Sequence, residues 1–314
     1  MRVLAAGVSA YDLMFRSSGL LPGTPRVPFT LGEDVVGLVD VCGSGVSGLS
    51  TGQLVAGSTI ALGLGGGYAE HVCLPASELV PVPDGVDPTQ AVCLVINYLT
   101  AYAAMHRTAK VQAGERVLIH GAAGGVGSAL LELGLLAKLE MYGTASTDNL
   151  PLVSELGATP IDYRTEDFVQ RIRDLTQTGV DVVFDPIGGA RQLRRSMSAL
   201  CKGGRLVWFG VAAAKTKGLR VIPSTLLMRG LLALVPGKTL LTTDLGDDNA
   251  WYRATLAKLL GLLAAGDLNP RVEARIPLSQ AARAHACLEA GGHRGKVVLV
   301  TEAWEREWAG RFDV

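Results

Sequence analysis

The stretch Val117–Gly127, VLIHGAAGGVG, decides the fold of this 314-residue chain. A short aliphatic strand runs directly into a glycine-rich turn, and the residues that follow have the apolar content of a packed helix. Ala122, Gly124 and Gly127 occupy the three small positions of the dinucleotide-binding fingerprint, which permit a tight turn, close approach to a pyrophosphate and helix–strand packing. Backbone N–H groups and the dipole at the helix start favour phosphate. The strand–turn–helix context therefore favours a dinucleotide site over a purely structural turn.

Composition limits the class of protein. The chain has 29 basic and 29 acidic residues, so its formal charge gives no reason to expect nucleic acid or an anionic membrane as a partner. The apolar segment 219–241 is interrupted by Arg229, Pro236 and Lys238, unlike a membrane span. The N-terminus lacks the pattern of a signal peptide. Five cysteines without a CxxC pair indicate free thiols, and hence a reducing, cytoplasmic location.

Three regions of the sequence differ in composition and in the pattern of predicted strands and helices. Residues 1 to about 90 are rich in Gly, Val and Pro and contain short strand candidates separated by turn signals, as in a compact β domain. From about residue 94 to 236, strands alternate with helices, which predicts βαβ units and a parallel sheet. The last third contains two helices and a strand. We therefore predict an α/β domain inserted into a mostly β domain, with a ligand bound in the cleft between them.

The individual elements follow from local patterns. The predicted strands are Asp34–Val41, Leu54–Ile60, Glu70–Leu74, Arg116–His120, Glu140–Thr144, Thr159–Asp162, Asp181–Asp185, Arg205–Gly210 and Lys296–Thr301. The predicted helices are Gly125–Leu136, Leu150–Leu156, Glu166–Thr176, Ala190–Leu200, Trp251–Ala265 and one that Ser279 caps and that ends near Glu289.

The order of several motifs resembles the medium-chain dehydrogenase/reductase superfamily, specifically its zinc-free quinone oxidoreductase branch. The resemblance covers nearly the whole chain. It rests on AAGVSAYDL (Ala5–Leu13), PFTLGEDVVG (Pro28–Gly37), GGGYAEHV (Gly65–Val72), LVPVPDGVD (Leu79–Asp87), NYLTAY (Asn97–Tyr102), AGERVLIHGAAGGVG (Ala113–Gly127), LGATPIDYR (Leu156–Arg164), VDVVFDPIGG (Val180–Gly189) and GKVVLV (Gly295–Val300). The NYLTAY, GTAS and IDYR segments are similar to the sub-branch of vesicle amine transport protein and related bacterial reductases.

The resemblance implies a fold and its domains. We expect a doubly wound Rossmann sheet at residues 96–236, inserted between the two parts of a GroES-like substrate domain at 1–95 and 237–314, and a homodimer. Relatives carry about one further strand hairpin before the segment that opens this chain. An incomplete barrel would leave an unpaired strand edge.

The resemblance also argues against a metal. Zinc-dependent relatives place Cys, His and Cys around a catalytic zinc, whereas residues 6–11 contain no Cys and Glu33 and Ile96 stand at the other two positions. Three protein ligands therefore cannot be assembled. Glu33 and Asp34 could still form an acidic pair, although a cap or an interdomain contact is the simpler interpretation.

The cofactor is expected to be NADPH. NAD-preferring folds end the second strand with an acidic side chain, whereas GTAST (Gly143–Thr147) offers hydroxyls and no carboxylate. Ser146 can hydrogen-bond a 2′-phosphate, and Tyr163 and Arg164 match NADPH-using relatives, unless they form only a solvated strand end. Those relatives have a lysine where this chain has Asn149, so the phosphate preference is weakened by one charge-assisted contact, roughly 1.5–3 kcal/mol.

Further contacts follow from motif match. Ala123, Gly124, Gly125 and Val126 are expected to face the pyrophosphate. Phe209, Gly210 and Val211 end a later strand and are expected to line the nicotinamide ribose. Leu234 and Val235 are expected to cross the nicotinamide on an apolar strand that in relatives also builds the dimer.

The catalytic candidates are few, because hydride transfer to a quinone or enone needs a flat apolar slot and one donor toward the oxygen. By family position, Thr100 is expected to touch the nicotinamide end of the cofactor, and Ser9 to stand at the same wall. Asn97 and Tyr98 are further polar candidates, each of which could equally make a structural hydrogen bond.

The resulting prediction is an NADPH-dependent, zinc-independent reductase of a small apolar quinone or enone. One alternative is an enoyl reductase acting on carrier-bound polyketide or fatty acyl chains. Another is a non-enzymatic cofactor-binding protein. Turnover of NADPH with 1,2-naphthoquinone and with a simple enone separates the three.

Overall fold

The structure is a computed structural model that describes residues 1–18, 27–60, 65–210, 212, 221–243 and 248–312. The chain divides into two compact units. The first comprises Met1–Leu99 and Asp247–Val314, and the second comprises Thr100–Gly246. The inserted arrangement predicted from the sequence, in which an α/β segment interrupts a mostly β one, is confirmed.

The first unit contains a six-stranded sheet. Its strand order is β11–β12–β1–β2–β3–β4. Strand β1 lies inside this sheet, antiparallel to both β2 and β12, so it is paired on both sides. The strands are β1 (Arg2–Val8), β2 (Asp34–Leu38), β3 (Leu54–Ser58), β4 (Leu79–Pro81), β11 (Val272–Pro277) and β12 (Lys296–Val300).

Helices cover this sheet, and local caps set some of their ends. Asp87 precedes α2, where Pro88 occupies the first turn, and its carboxylate accepts the Thr89 N–H at 2.8 Å. Thr301 caps α11 in the same way. The helices are α1 (Ala10–Ser18), α2 (Pro88–Cys93), α9 (Asn249–Ala264), α10 (Ala281–Ala290), α11 (Glu302–Glu307) and α12 (Ala309–Phe312), with a π-helical segment at Leu94–Tyr98 and 3₁₀ turns at Ala76–Glu78 and Leu278–Gln280.

The second unit is a parallel α/β sheet, as predicted. Its strand order is β10–β9–β8–β5–β6–β7, and every pairing is parallel. The chain moves outward from β5 to β7 on one side and from β8 to β10 on the other. The strand order therefore reverses between β5 and β8, which is where doubly wound sheets bind ligands. The strands are β5 (Arg116–His120), β6 (Glu140–Ala145), β7 (Thr159–Asp162), β8 (Val180–Asp185), β9 (Leu200–Trp208) and β10 (Thr239–Thr242).

The connecting helices bury one face against this sheet. Leu118, Ile161, Val183 and Leu206 from four neighbouring strands are buried in one apolar cluster with Ile172 from a helix. The helices are α3 (Leu99–Tyr102), a π-helical segment (Ala103–Ala109), α4 (Gly125–Leu136), a 3₁₀ turn (Thr147–Asn149), α5 (Leu150–Glu155), α6 (Phe168–Thr176), α7 (Ala190–Ala199) and α8 (Val221–Leu232).

Three local predictions were wrong. The segment Glu70–Leu74 is not a strand, because it forms only an isolated bridge between His71 and Arg2. Leu234 and Val235 do not lie on a strand but in the turn after α8, where the Val235 N–H bonds the Leu232 carbonyl at 3.1 Å. Ser279 does not cap α10, since it lies within a 3₁₀ turn and Gln280 occupies the cap position. Among the helices of the described ranges, none has the length and apolarity needed to cross a membrane.

Candidate functional site

The glycine-rich turn joins β5 to α4. Gly121 has a φ of +63°, which glycine adopts without strain and which reverses the chain directly after the strand. The Ala122 N–H then bonds the Thr144 carbonyl at 3.0 Å, fixing the turn against the end of β6. Gly124 begins α4 in extended backbone conformation, and no side chain caps this end. The first N–H groups of α4 therefore remain available for an anion.

Two glycines of the fingerprint meet different surroundings. A Cβ on Gly127 would lie 2.7 Å from Ala122 Cα, so α4 packs on the turn only without a side chain there. A Cβ on Gly124 would meet only the Gly121 carbonyl oxygen, at 3.4 Å, which is ordinary contact. The protein itself therefore does not require glycine at position 124. A ligand that approached the backbone closely, as a pyrophosphate does in a dinucleotide fingerprint, would require it.

The expected adenosine-phosphate residues meet at the ends of β6 and β7. Ala145 pairs with Asp162, so Ser146 and Tyr163 follow adjacent strands at the same edge. Ser146 and Asn149 are buried, and the Asn149 N–H bonds the Ser146 carbonyl at 2.8 Å. The Tyr163 ring is 54% exposed and the exposed Arg164 guanidinium lies 6.0 Å from its centroid.

Asp162 organises this edge and was missed by the sequence reasoning. Its carboxylate accepts the Thr147 hydroxyl at 2.5 Å and the Arg164 N–H at 2.9 Å. Hydrogen bonding from Thr147, with the Arg164 N–H next, lowers the pKa of Asp162 below its ordinary value. Both oxygens thus point to protein donors, and the carboxylate fixes the loop that carries Tyr163 and Arg164. The signal in the sequence that could have identified Asp162 is the IDYR segment, in which Asp162 is the last residue of β7.

A buried histidine, which no motif in the sequence predicts, joins the ends of three strands. His120 ends β5, and its Nδ1 lies 3.0 Å from Thr144 Oγ1 on β6. Its Nε2 lies 3.1 Å from Ser196 Oγ, which donates to the Asp185 carboxylate of β8 at 2.7 Å. Ser196 must then accept from Nε2–H. Burial lowers the pKa of His120, so the neutral ring holds together the edge at which the turn sits.

The residues expected to line the nicotinamide ribose follow directly after β9. The Phe209 N–H bonds the Asp185 carbonyl at 3.1 Å, and a Cβ on Gly210 would lie 2.6 Å from the Pro186 carbonyl oxygen. Both residues are half-buried beside the turn that follows β8. Val235 packs against the apolar core of this unit from the turn after α8. Val211 lies outside the described residues.

The four catalytic candidates lie on two helical elements and in the link between β1 and α1. Thr100 is the second residue of α3, and its side chain is half-buried. Asn97 and Tyr98 end the preceding π-helical segment and are both buried, with Tyr98 only 1% exposed. Ser9 follows β1 and is half-buried. Of the four, Ser9 and Thr100 thus have the accessible side chains.

Ser9 also belongs to a cluster of polar residues in the first unit. Its hydroxyl donates to Glu33 Oε2 at 3.2 Å, and its N–H donates to Asp12 Oδ2 at 2.8 Å. Burial, with the charges of Asp12 and Asp34 next, raises the pKa of Glu33 to about 7. Beside them, Lys296 Nζ lies 2.8 Å from Asp34 Oδ2 with both side chains buried. The sequence identified Ser9 and the Glu33–Asp34 pair but not the link between Ser9 and Glu33.

Within the described ranges, no group of three or more His, Cys, Asp or Glu side chains is arranged to hold a metal ion. All five cysteines lie in those ranges as free thiols.

Comparison with known proteins agrees with this geometry. A family model described as an alcohol dehydrogenase GroES-like domain matches residues 1–84, and one described as a zinc-binding dehydrogenase matches residues 156–299. The human synaptic vesicle membrane protein VAT-1 homolog is 31% identical over 96% of this chain and 78% of its own length. Human quinone oxidoreductase is 28% identical, over 96% of this chain and 88% of its own length.

A solved structure is similar over the same range. A mycobacterial protein in complex with NADPH superposes with a TM-score of 0.82 and 30% identity, covering 96% of this chain and 90% of that one. Relatives at this identity over most of both lengths share a family. The chain therefore belongs to the medium-chain dehydrogenase/reductase family and is a nicotinamide-dependent oxidoreductase.

Proposed function

We propose that this chain uses NADPH to reduce a small apolar quinone or enone-type acceptor without a metal ion. The observation that carries the proposal is the turn at Gly124. The start of α4 there has no side-chain cap, so its backbone N–H groups are open to an anion. The packing of the protein itself does not require glycine at position 124, which fits a ligand close to the backbone. Ala123, Gly125 and Val126 share this turn and would hold the pyrophosphate with it. Reduced nicotinamide, when bound, supplies the hydride.

The choice of NADPH is supported by the ends of β6 and β7. Ser146 and Asn149 follow β6, and no carboxylate stands between Gly143 and Thr147 to accept the ribose hydroxyls. Asp162 is engaged by Thr147 and by the Arg164 N–H, which leaves the exposed Arg164 side chain and the Tyr163 ring for a 2′-phosphate. A similar protein was solved with NADPH.

Metal independence is supported by the side chains around Ser9. A hydroxyl and a carboxylate that bond each other at 3.2 Å, with Asp12 occupied by two backbone N–H groups, make a poor set of zinc ligands. Thr100 and Ser9 are proposed as the side chains that contact the reacting groups, since both are partly exposed. Asn97 and Tyr98, which are both buried, are proposed as further polar groups that take part in the reduction. Phe209, Gly210, Val211 and Val235 are proposed to line the nicotinamide half.

A homodimer is proposed through the β10 side of the parallel sheet. Strand β10 is the last in the strand order and pairs only with β9 within the described residues. Beside it in sequence, α8 and its following turn expose Leu227 (69%) and Leu234 (79%), together with Leu226 and Leu231. An open strand edge next to exposed leucines fits a second copy of this chain. Free thiols fit the proposed cytoplasmic location.

The experiment is a measurement of NADPH oxidation by 1,2-naphthoquinone, by a simple enone and by an enoyl thioester of phosphopantetheine. We expect turnover with the quinone or the enone, unaffected by a metal chelator. Turnover confined to the thioester would instead identify a carrier-dependent enoyl reductase. Tight NADPH binding without oxidation by any of the three would contradict the proposal and favour a non-enzymatic role.

A further inference from the structure

The polar cluster around Ser9 holds more carboxyl groups than cations. Three carboxyl groups, Asp12, Glu33 and Asp34, lie there with one ammonium group, Lys296. Three carboxylates facing one cation in a buried site are costly, because desolvation penalises each charge. The three carboxyls differ in their hydrogen-bond partners, and this difference indicates which of them is protonated most readily.

Two of the carboxyls are held as acceptors. Asp12 takes a backbone N–H on each oxygen, from Ser9 at 2.8 Å and from Gly32 at 2.9 Å. Backbone N–H groups only donate, so both oxygens act as acceptors, as in an ionised carboxylate. Asp34 is paired with Lys296 at 2.8 Å. Burial opposes charge on Lys296, but the Asp34 charge and hydrogen bond raise the pKa of Lys296 above its ordinary value.

Among the described residues, Glu33 has neither a backbone N–H group nor an ammonium group as a hydrogen-bond partner of its side chain. Its Oε2 meets the Ser9 hydroxyl, a group that can donate or accept, and its side chain is only 4% exposed. Burial first, then the charges of Asp12 and Asp34, raise the pKa of Glu33 to about 7. Of the three carboxyls, Glu33 is therefore the one that takes up a proton as the pH falls through about 7.

Ser9 connects this proton to the surface of the first unit. Its Oγ accepts the Asp12 N–H at 3.2 Å, which orients the hydroxyl. When Glu33 is protonated, its O–H donates to Ser9 Oγ, and the Ser9 O–H is free to point to a ligand. When Glu33 is ionised, Ser9 donates back to it. Ser9 is half-buried whereas Glu33 is only 4% exposed, so Ser9 is the more accessible of the two side chains.

We propose that Glu33 and Ser9 form the proton donor of the reduction, with Ser9 in contact with the acceptor and Glu33 acting through it. This inference rests on the proposed function. The acceptor is reduced as the cofactor is oxidised, and negative charge develops on the acceptor oxygen. The Ser9 O–H bond breaks and a new O–H bond forms on that oxygen. Ser9 Oγ takes the proton of Glu33, and the resulting carboxylate regains a proton from water.

The first test measures the proton directly. Infrared difference spectra of wild type against Glu33→Gln, recorded across pH 5 to 9, are expected to show a protonated-carboxyl band that titrates with a midpoint of about 7. Glu302→Gln, at an exposed glutamate of α11, is the matched control and is expected to leave that band in place. A band that is absent in wild type, or that survives in Glu33→Gln, overturns the proposal.

The second test measures turnover of NADPH with 1,2-naphthoquinone against pH. We expect the wild-type rate to fall as pH rises through about 7, and Ser9→Ala and Glu33→Gln to lose roughly 100-fold in kcat with unchanged NADPH affinity. The titratable and charged groups that face Glu33 are Tyr11, Asp12, Asp34, Tyr68 and Lys296.

The two proposals fail differently. If Glu33→Gln keeps the wild-type rate and pH profile, Glu33 is not the proton donor, although the chain remains a reductase. If none of the acceptors tested is reduced by NADPH in the presence of wild type, the proposed function is wrong and the proton-donor role is lost with it.

Discussion

Lys296 Nζ lies 2.8 Å from Asp34 Oδ2, and both side chains are buried within the sheet of the first unit. Lys296 begins β12 and Asp34 begins β2, on either side of β1. Between them Gly7 of β1 has no side chain, and a Cβ there would lie 2.5 Å from Asp34 Oδ1. The pair therefore spans three strands and depends on a glycine.

Breaking this pair from one side is expected to be costly. Lys296→Met leaves the Asp34 carboxylate buried and uncompensated, and we expect it to lower the free energy of unfolding by about 3–5 kcal/mol. Asp34→Asn combined with Lys296→Met removes both charges and is expected to be less destabilised than Lys296→Met alone. Chemical denaturation of the three proteins checks this order.

The exposed pair Arg2–Glu307 provides the control for that experiment. Its side chains are about one-third exposed or more, and solvent screens their interaction, so Arg2→Ala is expected to cost at most about 1 kcal/mol. If Lys296→Met costs no more than Arg2→Ala, the buried pair does not stabilise the sheet.

Alanine substitutions at the two fingerprint glycines, Gly124 and Gly127, are expected to have different effects. Gly127→Ala forces a Cβ to within 2.7 Å of Ala122 Cα, so α4 must move and the melting temperature of the protein is expected to fall by several degrees. Gly124→Ala meets only ordinary contact at 3.4 Å and its φ of −76° suits alanine. It is expected to keep nearly the wild-type melting temperature and to lose NADPH affinity at least tenfold.

Circular dichroism melting and NADPH fluorescence titration, performed on both variants, separate packing from binding. Gly124→Ala that bound NADPH as tightly as wild type would show that no pyrophosphate approaches this turn.

The fold of the second unit was predictable because each of its signals is local. The strand Arg116–His120 and the helix Gly125–Leu136 were predicted with the bounds that the structure shows. There the apolar runs are short, and glycine marks the turn between them. The same reasoning was wrong at Leu234 and Val235, because a run of apolar residues has no periodicity that separates a strand from a helix and its following turn.

The candidate site was predictable only in part. Residues that stand in a motif, such as Gly124 and Ser146, could be found from spacing. The contacts that give the site its chemistry join residues distant in sequence. Glu33 lies 24 residues from Ser9, and His120 lies 76 residues from Ser196. No periodicity or motif in a single sequence encodes such pairs, since they exist only after strands from different regions are brought side by side.

Arg164 is expected to set the preference for NADPH over NADH. Its side chain is exposed beside Tyr163, while its backbone N–H anchors the loop through Asp162. Arg164→Ala therefore removes a charge without removing the anchor. One charge-assisted contact is worth roughly 1.5–3 kcal/mol, so the dissociation constant of NADPH is expected to rise by about 10- to 150-fold, with that of NADH unchanged.

Arg171 supplies the matched control for this variant, because it is exposed on the neighbouring helix α6 and pairs with Glu166 at 3.3 Å. Arg171→Ala is expected to change neither dissociation constant. Equal losses for NADPH and NADH in Arg164→Ala would mean that Arg164 does not contact a 2′-phosphate.

The buried Glu33 is expected to make the stability of the protein depend on pH. Its pKa is raised from the ordinary 4.5 to about 7, first by burial and then by the charges of Asp12 and Asp34. Between these values the folded protein binds more protons than the unfolded chain, so stability falls as pH rises from about 5 to 8. Glu33→Gln lacks this dependence. Its stability relative to wild type is therefore expected to increase over that range, by at most about 3 kcal/mol. Denaturation at pH 5 and pH 8 measures the difference, and a constant difference would show that Glu33 is ionised at both.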